Sequence, residues 1–273
     1  MQIEPAVAVP QDAIDRCLEA IEGRDPLTIP VEFADPDRAA ALVAVDGDHG
    51  VIGVGWLRPI GEAQRVEVRV LPGHRRRGVG SALFTRLEAV DQALLASCDA
   101  GQHAVRRFLE ARRFAPTGVI FVQRWDGDAD DVPRAFRSAA LVPAADPAAA
   151  ARLLAAASAD GWPAPLFGAA ELADPATRVE LACIDGAPVG ISAARQSDGA
   201  WTVGGLAVLP WARGRGVGRS LLCALMSAAA GEGLGVVLRA SHDDERLVEW
   251  TRRLGFWTCR SWVTYQRPAG GLT

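Results

Sequence analysis

Two short loops carry the residues best suited to chemistry. The first reads Arg75-Arg76-Arg77-Gly78-Val79-Gly80 and the second Arg213-Gly214-Arg215-Gly216-Val217-Gly218. Each follows an apolar run ending in Val-Leu-Pro and precedes a helix-forming run. Glycine lets backbone N–H groups come close to an anion. A helix beginning there adds the positive end of its dipole, and arginine adds charge at the rim. Together these features describe a pyrophosphate cradle. They do not match the dinucleotide fingerprint, which needs three glycines and an acidic residue about 20 positions on. The plainer reading is a turn whose glycines cap a strand and whose arginines are solvated. The recurrence of the loop in identical context argues against it.

The elements that must position these loops also occur twice. Residues 70–83, VLPGHRRRGVGSAL, return as residues 208–221, VLPWARGRGVGRSL, an offset of 138 (208 − 70). Asp46-Gly47 matches Asp185-Gly186, and ADPDR from Ala34 matches ADPATR from Ala173, both at 139; ARRF ending at Phe114 matches RLGF ending at Phe256, at 142. Four ordered matches describe two homologous domains, 1–128 and 129–273, joined at the acidic run DGDADD (126–131). Each copy opens with a short strand, IEPAVAV or RSAALV. A helix follows, Asp12–Ile21 or Pro147–Ala159. Paired strands then turn at the Asp-Gly steps. A third strand, RVEVRVLP or VGGLAVLP, ends at the glycine loop, and a helix starts, Ser81–Leu94 or Arg219–Ala230. A fourth strand (ALLASC or GVVLRAS) leads to a second helix, in copy two near Asp243–Leu254, and a last strand (GVIFVQRW or SWVTYQRP) closes each copy. The fold class is mixed α/β (α+β), with antiparallel hairpins early and a strand–loop–helix crossover late.

Composition removes several classes of function. Of 273 residues, 49% are hydrophobic and the formal net charge is −4, as in a soluble globular protein. All 29 basic residues are arginine, since the chain has no lysine. That excludes Schiff-base chemistry and phosphate loops built on a Gly-Lys pair. Neither half is strongly basic, so no nucleic-acid surface is expected. No signal peptide is expected, nor is a membrane span, because the apolar runs fall short of about 18 residues. Five scattered cysteines without C-x-x-C suggest neither a metal site nor a disulfide framework, and a cytoplasmic protein with reduced thiols is the simplest expectation.

The motif V-x-P-x-x-R-x-x-G-x-G, after a strand and before a helix, resembles the coenzyme A loop of the GNAT N-acetyltransferase superfamily. Arg253–Phe256 also resembles that family's closing Leu-Gly-Phe. The element order of each copy fits, so the resemblance covers nearly the whole chain and implies two tandem GNAT acyl-CoA N-acyltransferase folds, as in mycothiol-synthase-like enzymes. It further implies acetyl-CoA as co-substrate, lying where the strand before the loop splays from its neighbour. Leu206, Ala207 and Val208 would then hold the pantetheine and thioester, and Arg213, Gly214, Arg215, Gly216, Val217, Gly218 and Arg219 would wrap the pyrophosphate. In copy one the matching sets are Val68, Arg69 and Val70, then Arg75, Arg76, Arg77, Gly78, Val79, Gly80 and Ser81. The family's asparagine and tyrosine fall at Asp244 and Thr251 in copy two, and at Gln102 and Leu109 in copy one. Neither copy keeps them, but copy two keeps more of the pattern and is expected to be the catalytic unit.

The resemblance implies direct acetyl transfer to an amine, which needs a proton acceptor. His242, after the fourth strand of copy two, is the candidate base, with a loop histidine of no special role as the alternative. Glu180, on a strand of copy two, can face a substrate or sit in an ion pair. Tyr265, the chain's only tyrosine, is a candidate acid or a buried structural hydroxyl. Glu67 is out of phase with Val68 and Val70 and faces away from them. Six of eight tryptophans fall in copy two, as pocket lining or as packing, and Trp211, just before the loop, can stack on adenine. The acceptor is expected to be a small-molecule amine. Two alternatives stay open: a non-catalytic CoA-binding module, and an acyltransferase using a longer acyl-CoA.

Overall fold

The computed structural model describes residues 1–22, 41–47, 50–60, 62–89, 92–134, 139–158, 167–197 and 199–269. The ADPDR match and Trp162 lie outside the described residues. The chain falls into two units, Met1–Thr117 with Val263–Thr273, and Gly118–Trp262. The acidic run at 126–131, expected as the joint, therefore lies inside the second unit.

The first copy contributes β1 (Gln2–Pro5), α1 (Gln11–Glu22), β2 (Ala41–Asp46), β3 (Gly50–Ile60), β4 (Ala63–Val70), α2 (Val79–Leu87), β5 (Ala93–Asp99), α3 (His103–Glu110) and β6 (Ala115–Trp125). The second contributes β7 (Ala140–Pro143), α4 (Pro147–Ser158), α5 (Ala169–Ala173), β8 (Thr177–Ile184), β9 (Ala187–Ser197), β10 (Ala200–Val208), α6 (Val217–Gly231), β11 (Gly235–Ser241), α7 (Glu245–Arg253) and β12 (Trp257–Arg267). The helix expected over Ser81–Leu94 stops at Leu87, because β5 already begins at Ala93.

In unit 1 the strands run β1-β2-β3-β4-β5, antiparallel until the parallel β4–β5 step. Helix α1 buries Ile14, Cys17 and Ile21, a spacing of one helix face, against Val43, Val54 and Trp56. On the other face α2 brings Leu83, Phe84 and Leu87 down on the sheet. Unit 2 repeats the plan as β11-β10-β9-β8-β7, with α4 and α5 on one face and α6 and α7 on the other. The hairpin β8–β9 turns at Asp185 (φ 50°) and Gly186 (φ 78°), as an Asp-Gly turn requires.

The last strands depart from expectation. Residues 118–125 of β6 do not close the first copy; they pair antiparallel with β11 in unit 2, Val236 opposite Trp125 and Ser241 opposite Ile120. Residues 263–267 of β12 stand beside β5 in unit 1. Side chains explain the partition. Trp125 joins the apolar core beneath α6 and α7, whereas Val263 and Tyr265 join that of Phe84, Leu109 and Phe114. Cys17, Cys98 and Cys223 are buried, and burial pushes the Cys17 and Cys98 thiols up to about 11. Cys183 is only half-buried.

Candidate active site

In each unit two neighbouring strands separate beside a glycine loop. Strands β10 and β11 pair only from Ala200 to Thr202, opposite Gly235 to Val237. Beyond Thr202, β10 keeps its pairing with β9 alone. Unit 1 does the same, with β4 and β5 paired only over Ala63–Arg65 and Ala93–Leu95. The direction of the freed backbone groups follows from the ladders. Leu209 N–H donates to Val189 O at 2.8 Å, so hydrogen-bonding residues toward β9 alternate as Leu209 and Ala207. The N–H and C=O of Leu206 and Val208 therefore point into the gap. In unit 1, Leu71 N–H donates to Ile52 O at 3.0 Å, which turns Val68 and Val70 the same way.

The two loops share one backbone path. Gly214 (φ 74°) and Gly216 (φ 82°) are left-handed, and Arg76 (φ 63°) and Gly78 (φ 83°) follow them in unit 1. Gly216 and Gly78 are the residues from which α6 and α2 start. The first helical bonds run from Ser220 N–H to Gly216 O and from Ala82 N–H to Gly78 O. The amides of Val217 and Gly218, and of Val79 and Gly80, thus precede the helical ladder. A Cβ on Gly218 would stand 3.7 Å from Val208 Cγ2, and one on Gly80 3.6 Å from Val70 Cγ2. Neither glycine is demanded by packing, and each leaves open the space between helix start and strand end. The arrangement fits a pyrophosphate on the helix start with an extended arm along the strand.

The arginines divide by role. Arg213 is held within the fold, Nε donating to Val208 O at 2.9 Å and Nη2 to Ala157 O at 2.9 Å. Arg75 repeats the first bond, to Val70 O at 3.0 Å. Arg219 leans back along its helix to Cys223, and Arg69 lies 3.6 Å from Glu67. Arg76, Arg77 and Arg215 are exposed beside the cradles, and Arg215 sits 5.8 Å over the ring of Trp211, which is 57% exposed. Among the other tryptophans, Trp201 donates to Glu232 at 2.9 Å and Trp250 packs on the α6–α7 core.

One feature of β10 escaped the sequence reading. Val203 faces Ala194 and Gly205 faces Ala193, so Gly204 is an extra residue, a β-bulge where β10 parts from β11. Unit 1 has an uninterrupted register at this place. At a bulge two successive residues face the same side. A Cβ on Gly204 would lie 2.4 Å from three atoms of the Phe167 ring, and one on Gly205 3.1 Å from Leu154. The signal was present: two consecutive glycines inside a strand mark a bulge or a close approach.

Of the three proton-transfer candidates, His242 and Glu180 belong to unit 2 and Tyr265 to unit 1. His242 directly follows β11; its N–H donates to Val119 O at 2.8 Å and its Nδ1 is 2.9 Å from Asp243 Oδ1. Counting from the last paired residues, His242 lies five places beyond Val237 and Val208 six beyond Thr202, one of them the bulge. His242 thus stands level with Val208 across the gap. Glu180 is ion-paired to Arg178 at 2.6 Å, only 15% exposed, and two strands from β10, about 10 Å away. Tyr265 belongs to unit 1 and is 1% exposed; its hydroxyl accepts from Arg106 Nε at 3.2 Å and donates to Glu110 Oε1 at 3.4 Å. Asp244 caps α7, accepting from Leu247 N–H at 3.0 Å. Thr251 is fully buried and donates to Gln123 Oε1 at 2.6 Å. Among the described residues no group of three or more His, Cys, Asp or Glu can hold a metal ion, and no helix is long and apolar enough to cross a membrane.

Comparison with known proteins adds an independent line. A family model described as the acetyltransferase (GNAT) family matches residues 11–114 and 149–256. No curated protein matches the sequence. Among solved structures, a tandem GNAT protein from the clavulanic acid biosynthesis pathway, solved without AcCoA, is 21% identical, with 98% of each chain covered and a TM-score of 0.76. A GCN5-related N-acetyltransferase from Sphaerobacter thermophilus is 19% identical over 96% of this chain and 94% of its own, with a TM-score of 0.70. One from Kribbella flavida is 18% identical over 98% of this chain and 72% of its own, with a TM-score of 0.58. At these identities the likeness is one of fold.

Proposed function

The chain belongs to the GNAT acetyltransferase family, and from that membership we propose that it transfers acetyl from acetyl-CoA to the amine of a small molecule by direct attack, in unit 2. The observation that carries this reading is the conjunction in one unit of a splayed β10–β11 pair, a glycine cradle at the start of α6, and a bulge at Gly204. Bulges recur beside active sites because they re-aim backbone groups.

When bound, acetyl-CoA supplies a thioester whose carbonyl carbon takes the amine and whose thiolate leaves. The amides of Val217 and Gly218 hold the pyrophosphate, helped by the positive end of α6. Leu206 offers its N–H and C=O to the arm and Val208 its N–H, since Val208 O already accepts from Arg213 Nε, and a strand N–H polarises the carbonyl. Asp243 accepts from His242 Nδ1–H and leaves Nε2 with its lone pair; because His242 stands level with Val208, about 13 Å of strand short of Gly204, the amine proton reaches it through a chain of waters. A dedicated acid is not obligatory, because a thiol of pKa about 8.5 already leaves readily as thiolate near neutral pH. Unit 1 binds CoA or serves the fold. The expected location is the cytoplasm, where thiols stay reduced.

A non-catalytic CoA-binding module is the second reading, favoured by the burial of Thr251 where the resemblance puts an acid. Calorimetric titration of the full chain with acetyl-CoA, followed by CoA release with a panel of amines, separates the two. Binding with turnover supports the transferase; binding without any turnover supports the module; no binding removes both.

A further inference from the structure

We infer that Phe167 sets the acyl length the site accepts, by covering the Gly204 bulge from the α4 face of the sheet at the blind end of the β10–β11 gap. This rests on the reading of unit 2 as an acyl-CoA site. The cradle lies beyond Val208, at the open end of the gap, and the strands rejoin at Thr202. An arm entering from the cradle passes Val208 and Leu206, whose backbone groups face it, and its far end meets Gly204. From Val208 to Gly204 is four residues, about 13 Å of strand. The acyl group is at that far end.

What the acyl group meets there is built by two glycines and one ring. Gly204 would place a Cβ 2.4 Å from Cδ1, Cδ2 and Cε1 of Phe167 alike, so the ring lies with its face on the bulge. The ring is 4% exposed and is held from several directions. The Arg195 guanidinium sits 5.6 Å from its centroid and is itself fixed by Asp174 at 2.8 Å and Thr177 Oγ1 at 3.1 Å. Gly168, the next residue, donates its N–H to Glu171 Oε2 at 2.7 Å. The space over the bulge is thus filled by a ring carried just before α5, where no side chain of β10 can fit. A longer acyl chain needs the volume that the ring occupies.

The test is an affinity series on the full chain with acetyl-, propionyl-, butyryl- and hexanoyl-CoA, measured by calorimetry, so that no acceptor is required. For the wild type we expect at least a tenfold loss from acetyl to butyryl. Phe167→Ala is expected to erase that loss while binding acetyl-CoA within a few-fold of wild type. Phe167→Leu, a milder change, is expected to admit propionyl before butyryl. Gly204→Ala is expected to lower the melting temperature in the wild type and to be tolerated in the Phe167→Ala background. An unchanged length profile in both Phe167 variants overturns the inference while leaving the acyl-CoA site in place. Failure of the wild type to bind any acyl-CoA overturns both.

Discussion

The carboxylate of Glu88 and the guanidinium of Arg267 meet at 2.6 Å inside unit 1, although 179 positions separate them in the chain. Arg267 is 7% exposed and Glu88 17%. Arg267 also lies 5.4 Å from the Phe114 ring and 5.8 Å from that of Phe84. Removing one partner of a buried pair leaves the other charged and desolvated, at a cost of about 3 kcal/mol or more. Glu88→Ala is therefore expected to lower the stability of unit 1 by that amount in urea unfolding, and the paired change Glu88→Leu with Arg267→Met by much less. Equal losses in the single and double variants would show that the pair does not act as a pair.

The exchanged strands predict how the chain can be divided. A piece of residues 1–128 lacks 263–267, and with them Val263, Tyr265 and Arg267 of the unit 1 core. A piece of 129–273 lacks 118–125, and with them Trp125 and the Gln123 that accepts from Thr251. Neither piece alone is expected to melt cooperatively, whereas the two expressed together are. A cooperative transition in the isolated 1–128 piece, followed by circular dichroism, would sink this expectation.

Gly218→Ala separates packing from binding. Its Cβ meets nothing closer than 3.7 Å, so the fold is expected to keep or gain stability, since Ala exceeds Gly in a helix by up to about 1 kcal/mol. The same methyl fills the cradle. Acetyl-CoA affinity is expected to fall at least about tenfold, or 1.4 kcal/mol. Gly80→Ala makes the same change in unit 1, so the pair of titrations assigns binding to one unit or both. Unchanged affinity in both variants would mean that neither helix start carries the anion.

Arg76 occupies the left-handed conformation that Gly214 takes in the other loop, at φ 63° against 74°. For a residue with a Cβ that conformation costs about 1 kcal/mol. Arg76→Gly is expected to stabilise unit 1 by a similar amount, partly offset by the greater freedom of glycine when unfolded. A drop in melting temperature would show that the Arg76 side chain holds the loop.

The glycine loops were legible as strand–loop–helix turns because that geometry is local: a strand end, the loop and a helix start are all written within 14 residues. The burial of Tyr265 and the ion pairing of Glu180 match the plainer reading of each residue. The partner of the last strand was not legible. Tyr265 and Gln123 are side chains that either sheet can use, and only the cores they enter, beside Leu109 or beside Thr251, decide between them. The bulge was half legible. Gly204-Gly205 announces a break, but Phe167, the reason for it, lies 37 residues earlier (204 − 167) with no pattern linking the two. His242 shows the same limit, since its height along the gap depends on the extra residue in β10.

The return of residues 263–267 to unit 1 also has a consequence for synthesis. Thr117 and Val263 are 146 positions apart (263 − 117). At about 5–20 residues per second, roughly 7–30 s pass between their emergence from the ribosome. Over that interval β5 has no permanent neighbour on its far side, and the nascent chain carries an open sheet edge. The half of the protein that is made first is thus the last to be finished.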